Sequence, residues 1–237
     1  MLQPSSCPFR VLMRLAMALP ECNIAGIKEC LNFTRHRNAV MPNPPVTLSQ
    51  CLSQHQSKAA EFDAQNCTVR LIREKDANSV ADYFGRNRAH FLPWEPLREA
   101  DYHSAAQWQT RIRASLLETS NCCYLVLADP AHIYGMATLS NQVRGPFQAC
   151  YLGYGIDQSL QGKGYATRLC EAALAYAFEE LTLHRVMANY MPSNHRSAAL
   201  LKRLGFEKEG LARAYLQING QWEDHVLTAK LAPGSAR

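Results

Sequence analysis

The stretch Cys150–Thr167, CYLGYGIDQSLQGKGYAT, decides how the rest of this chain is read. An apolar strand pattern runs into a glycine-bearing turn, Gln161-Gly162-Lys163-Gly164, and then into Tyr165 and Ala166 at the head of a helical pattern. Small or absent side chains leave the main chain bare at that helix start. Unpaired N–H groups at the positive end of a helix macrodipole can hold an anionic phosphate, so the turn is shaped for a pyrophosphate. Thr167 stands where a dinucleotide fingerprint needs its third glycine, and no Gly-Lys-Ser/Thr follows as in a P-loop. What remains is Gln/Arg, two residues, Gly, one residue, Gly/Ala, met by Gln161, Gly164 and Ala166. An ordinary strand-to-helix turn is the bland alternative.

Downstream, Ala166, Leu169, Cys170, Ala173, Leu174, Ala177, Phe178 and Leu181 recur in steps of three and four and define one apolar helix face. A β-rich run, Arg185–Tyr190, follows, and a second helix starts near Ser193 or Asn194 and stops at Gly205. Strand, turn, helix, strand, helix is a βαβα unit, and right-handed crossover makes its strands parallel neighbours. Upstream the pattern predicts a strand at Thr68–Arg73, helices near Asp76–Asn87 and Ser104–Thr119, and strands Cys123–Ala128 and Gly135–Val143 around Asp129-Pro130. Strands Glu207–Ile218 and Gln221–Lys230 flank Asn219-Gly220, the strongest hairpin signal in the chain. The expected fold is α/β (α+β): a curved, mostly antiparallel sheet with one parallel pair and helices on both faces.

The turn pattern resembles the acetyl-coenzyme A turn of the GCN5-related N-acetyltransferases (GNAT). Further runs carry the likeness through residues 67–231: PWEP (93–96), ACYLGYGI (149–156), HRVMANYMPSNHRS (184–197), RLGFEKEG (203–210) and NGQWEDHVLTA (219–229). Those runs resemble the ribosomal-protein alanine acetyltransferases within that family. The resemblance implies a GNAT fold whose parallel strands splay to admit the pantetheine arm. It also implies acetyl-CoA as donor, and as acceptor the N-terminal alanine of a small-subunit ribosomal protein.

Under that resemblance Gln161, Gly162, Lys163, Gly164, Tyr165 and Ala166 hold the cofactor. Backbone N–H groups on the strand carrying Tyr154 and Ile156 are candidate donors to the oxyanion. Asn194 and Ser197 form an Asn-x-x-Ser pattern that implies a contact to the cofactor arm from Asn194 and a hydrogen bond near the leaving sulfur from Ser197. Both also read as helix caps. Some relatives carry a glutamate before the hairpin, but Ala214-Tyr215-Leu216-Gln217 offers none. Glu95, on a stiff loop between Pro93 and Pro96, is the remaining candidate to meet the incoming ammonium, or it is a solvated loop residue. Trp94 lines the substrate groove or caps the core, and Tyr215 donates to the sulfur or simply packs.

The weak base is tolerable on energetic grounds. An α-amine of pKa about 7.8 loses its proton near neutral pH for roughly 0.5 kcal/mol, whereas a lysine at about 10.4 needs about 4 kcal/mol. An N-terminal acceptor is therefore favoured over lysine independently of any family.

Composition sets outer bounds. With 237 residues, 47% hydrophobic and 19% charged, the chain can bury one good core, predicted at residues 61–232 with a short tail at 233–237. No apolar run approaches the roughly 20 residues that span a bilayer. A net charge of +5 forms no basic stripe, so direct DNA binding is not expected. The 8 histidines and 9 cysteines lack metal-ligand spacing, and free thiols fit a reducing cytoplasm. Residues 1–60 read as a poorly ordered extension with a Pro- and Gln/Ser-rich linker, Met41 being among alternative starts. A monomer is expected. A small-molecule amine acetyltransferase and a non-catalytic ribosome-assembly module are the competing functions.

Overall fold

The structure, a computed structural model, describes residues 67–234. The extension predicted for residues 1–60 and positions 235–237 of the predicted tail lie outside the described residues. Chain order is β1 (Thr68–Leu71), α1 (Ala77–Arg86), α2 (Arg88–Phe91), α3 (Ala105–Ser115), β2 (Cys123–Ala128), β3 (Ile133–Val143), β4 (Ala149–Ile156), α4 (Tyr165–Ala175), β5 (Arg185–Met187), α5 (His195–Arg203), β6 (Glu207–Ile218) and β7 (Gln221–Leu231). The strands form one sheet ordered β1-β2-β3-β4-β5-β7-β6, antiparallel except for the pair β4 and β5.

Strand alternation sorts the core to the two faces of this sheet. Leu125, Leu127, Ala137, Leu139, Cys150 and Leu152 pack with α4 and α5, while Val126, Ala128 and Met136 pack with Val80 and Tyr83 of α1 and Ile112 of α3. On α4 the predicted apolar face is the buried one: Leu169, Cys170, Ala173 and Leu174 are all sealed from solvent. Burying one such leucine contributes roughly 1.5–3 kcal/mol. Gly135 lets α4 settle onto β3, since a Cβ there would lie 2.6 Å from Ile156 Cδ1 and 3.1 Å from Leu169 Cδ2. The last predicted turns of this helix continue as a wider π-type stretch, Tyr176–Glu180.

Three elements are shorter than predicted, the first being β1, which ends at Leu71 rather than Arg73. Past Met187 the chain leaves β4 and bonds only toward β7, through Ala188 N to Thr228 O at 3.0 Å and Tyr190 N to Val226 O at 3.2 Å. The run Arg185–Tyr190 therefore yields only the three-residue β5. Helix α3 stops at Ser115, where Leu116 and Leu117 turn out to solvent with no core to cover. The Asn219-Gly220 hairpin forms as read: both residues have positive φ, 45° and 82°, the combination a tight two-residue turn demands.

Candidate active site

Strand β4 pairs with β5 only through Ala149, Cys150 and Tyr151. Beyond them it runs on to Ile156 with β3 as its neighbour, so the parallel pair splays as the resemblance implied. The Asp157 N–H donates to Tyr134 O at 2.7 Å, in register with the β3 ladder. Alternation in an antiparallel ladder then turns the N–H groups of Ile156 and Tyr154 away from β3, into the gap that β5 has left. Side chains divide the same way: Tyr154 and Ile156 lie toward α4, while Tyr151, Gly153 and Gly155 lie on the opposite face.

At the end of that strand sits the turn. Gly162 and Gly164 have φ of 72° and 82°, a left-handed conformation that other residues adopt at a cost. Gly164 caps α4 with no side chain accepting from the turn, and the first turn holds no acidic residue. A Cβ at Gly162 would meet nothing within 4 Å. These are the properties an anionic diphosphate requires, so the residues present fit the cofactor. Lys163 is exposed beside them, Tyr165 is buried and Ala166 half-buried. The Gln161 amide nitrogen lies 2.6 Å from His90 Nε2, and its oxygen accepts from Arg196. Burial, with Arg196 adding to it, lowers the His90 pKa and favours the neutral ring.

The approach to the turn is staked down by Asp157. Its carboxylate accepts from Asn87 Nδ2 at 2.9 Å, Arg86 at 3.3 Å, and Ser159 N and Oγ at 3.0 and 2.7 Å. Burial alone would raise its pKa, but the hydrogen bonds from Asn87, Ser159 and Arg86 outweigh it and hold the group at about 2. An open depression of about 600 Å³ borders Arg86, Asn87 and Asp157. Its charges are already paired with one another, so the gap and the turn form the candidate site.

Ser197 and Tyr154 meet across the gap's inner side, Oγ to phenol oxygen, at 2.5 Å. Burial pushes the Tyr154 phenol well above its ordinary value against the opposing hydrogen bond with Ser197, so it keeps its proton. Asn194 caps α5 by accepting from Ser197 N at 3.0 Å, which fulfils the cap reading while leaving it beside the gap. Tyr215 lies elsewhere. It receives a hydrogen bond from Asn189 at 3.4 Å and pairs with Tyr151, on the face opposite Ser197. Glu95 accepts from Asn219 N through its main-chain oxygen at 3.0 Å, and its carboxylate stands 3.6 Å from His103 Nε2. Trp94 is 39% exposed, so it does not cap the core.

The structure thus gathers the turn, Asn194, Ser197 and Tyr154 on the α4 and α5 side. Glu95 joins the α1 side, where its charge reaches Tyr83, and Tyr215 sits with Tyr151. Sequence reasoning missed His90, Arg196 and the Asn87–Asp157 tie. Arg196 falls inside the run 184–197 that carried the resemblance, yet nothing local says that it reaches back to Gln161. Asn87 stood out in the sequence only as the last residue of a predicted helix.

Comparison with known proteins agrees with this geometry. Residues 66–207 match the family described as Acetyltransferase (GNAT) domain. The [Ribosomal protein uS5]-alanine N-acetyltransferase of Escherichia coli strain K12 is 48% identical over 169 residues, 70% of this chain and 87% of that protein. The solved ribosomal-protein-S5-alanine acetyltransferase of Vibrio fischeri superposes with a TM-score of 0.69 at 39% identity, covering 76% of this chain and all of that one. Mycobacterium smegmatis RimJ, solved in complex with CoA-disulfide, gives 0.65 at 29% identity, over 71% of this chain and 83% of its own.

Proposed function

The chain belongs to the GNAT acetyltransferase family, and from that premise we propose that it acetylates the α-amino group of the N-terminal alanine of ribosomal protein uS5, by direct attack in a ternary complex. It is an acetyl-CoA-dependent N-acetyltransferase. Acetyl-CoA supplies an activated acetyl group. The neutral amine bonds to the carbonyl carbon, the C–S bond breaks, coenzyme A leaves as its thiolate, and the amine's surplus proton passes to solvent or to the thiolate.

The observation that carries this reading is the pair of main-chain N–H groups at Tyr154 and Ile156 aimed into the gap. They are fixed before reaction, so they meet negative charge on the carbonyl oxygen without rearranging. Gln161, Gly162, Lys163, Gly164, Tyr165 and Ala166 hold the diphosphate, and Asn194 the arm. Either hydroxyl can donate in the Tyr154–Ser197 contact, and with the protonated phenol as donor the serine hydrogen is free for the departing sulfur. Glu95 attracts the acceptor ammonium and Trp94 lines its path. Tyr215, on the other face, contributes through the wall it builds with Tyr151 and Asn189.

The same reading assigns residues 61–232 to the catalytic domain, supported by the family match from 66 to 207, and residues 1–60 to an extension outside it. It makes the enzyme a cytoplasmic monomer that meets uS5 free or on the assembling small subunit. The experiment is an acetyl-transfer assay with three acceptors: a peptide beginning with the uS5 alanine, that peptide N-terminally blocked but holding an internal lysine, and spermidine. Only the first should be acetylated. Acetylation confined to the blocked peptide or to spermidine overturns the assignment.

A further inference from the structure

Tyr83, at the end of the second turn of α1, is 1% exposed, and its hydroxyl oxygen has no hydrogen-bond partner among the described residues. A buried hydroxyl in that state is a cost the folded protein bears without return, and such groups call for a reason. The ring is not adrift: it packs edge-on against Phe84 at 5.0 Å and tilted against Phe91 at 5.4 Å.

What the oxygen touches is strand β4. A Cβ built on Gly155 would lie 3.0 Å from it, a tight contact, so a glycine there lets the phenol come down onto the main chain without displacement. Gly153, next on that face, would carry its Cβ into open space. The face of β4 turned away from α4 therefore carries no side chain at Gly153 and Gly155, and over Gly155 lie the Tyr83 oxygen and the Phe91 ring, 3.3 Å from the same Cβ position. After burial, the charges of Asp157 and Glu95 raise the pKa of this phenol and that of Arg86 lowers it. Asp157 is already occupied by Arg86, Asn87 and Ser159. Glu95 has His103 at 3.6 Å, an ion pair when that ring is protonated but too long for a hydrogen bond, and its side chain is 36% exposed, so a further cation can reach it. Burial first, then the two carboxylates, hold the Tyr83 pKa well above its ordinary value, so the oxygen stays neutral with lone pairs to offer.

We propose that the Tyr83 hydroxyl is an acceptor-binding group, taking a hydrogen bond from the incoming α-amine over Gly155 while Glu95 faces its charge. The assignment rests on the reading of an N-terminal amine as acceptor. It names the side of the sheet from which that amine arrives, opposite Ser197 and Tyr154. The oxygen is closed off from solvent, so the acceptor reaches it by displacing its cover. Phe91 begins that cover, and the segment continuing through Glu95 is tied to the β6–β7 turn by Asn219 N to Glu95 O and by Leu97 against Gly220.

Tyr83→Phe keeps the ring and removes only the oxygen. The melting temperature should stay level or rise, and acetyl-CoA affinity should stay within about twofold, because the cofactor lies on the other face. KM for the alanine-initiated peptide should rise at least about tenfold, with a smaller change in kcat. A group with a purely structural role would leave that KM untouched. If the parent acetylates the peptide and Tyr83→Phe does so with the same KM, the proposal falls and the acceptor reading survives. A parent that leaves the peptide unmodified overturns both. Placement is checked by Gly155→Ala, which should lower the melting temperature more in the parent than in the Tyr83→Phe background. Equal losses in both would show that the oxygen does not rest on the strand.

Discussion

Gly164 gives the sharpest test of the phosphate turn, through a pair of substitutions matched in shape. Its φ of 82° is left-handed, a conformation that Asn and Asp tolerate better than other residues with a Cβ. Gly164→Asn and Gly164→Asp should therefore fold alike, each losing about 1 kcal/mol or less of stability. They differ by one charge. A carboxylate about 5 Å from a diphosphate, at an effective dielectric of about 40 for this exposed turn, is repelled by about 2 kcal/mol. That corresponds to roughly a 30-fold weaker Kd for Asp than for Asn. Titration calorimetry with acetyl-CoA measures both. Because the Debye length shrinks from about 10 Å at 0.1 M salt to about 3 Å at 1 M, the difference should narrow at high salt. Equal affinities for the two variants at low salt would refute the assignment of the diphosphate to this turn.

Ser197→Ala removes the partner of Tyr154 and the proposed donor to the sulfur, so kcat should fall about tenfold or more while acetyl-CoA affinity holds; parent-like turnover would leave Ser197 as packing only. The carboxylate of Asp157 predicts a defined acid limb. Its folded pKa, about 2, lies below the unfolded value, so it contributes stability above pH about 4 that is lost as pH falls through about 2. Asp157→Asn should be less stable at neutral pH and show a flatter melting-temperature profile across that window; an unchanged slope would mean other carboxylates govern it. Burial pushes the Cys123 and Cys150 thiols up to about 12, so neither should react with thiol reagents in the native protein at pH 8. Rapid labelling at either position, located by mass spectrometry, would contradict the packing described for β2 and β4.

Much of the fold was legible because its signals are local. The steps of three and four through Leu169, Cys170, Ala173 and Leu174 specify a helix face whatever it packs on, and Asn219-Gly220 specifies a tight turn by its backbone freedom alone. The glycine turn at residues 161–164 was equally visible, since positive φ at Gly162 and Gly164 is a property of glycine itself. Element ends were less so. The pattern Arg185–Tyr190 is β-prone throughout, yet only three residues pair with β4, because a strand's length depends on where its neighbour runs.

The residues of this chain alone determined a βαβα unit with a glycine-bearing turn at the head of its first helix, and the ionisation of an α-amine alone favoured an N-terminal acceptor over a lysine. Tertiary structure decided the rest. It parted β4 from β5 beyond Tyr151, turned the Tyr154 and Ile156 amides into that opening, set Ser197 on one side of the sheet with Glu95 and Tyr83 on the other, and tied Gln161 to His90 and Arg196. Period and propensity act over a few residues. Which groups face one another across a gap depends on chain segments dozens of positions apart, and that pairing exists only once the sheet has formed.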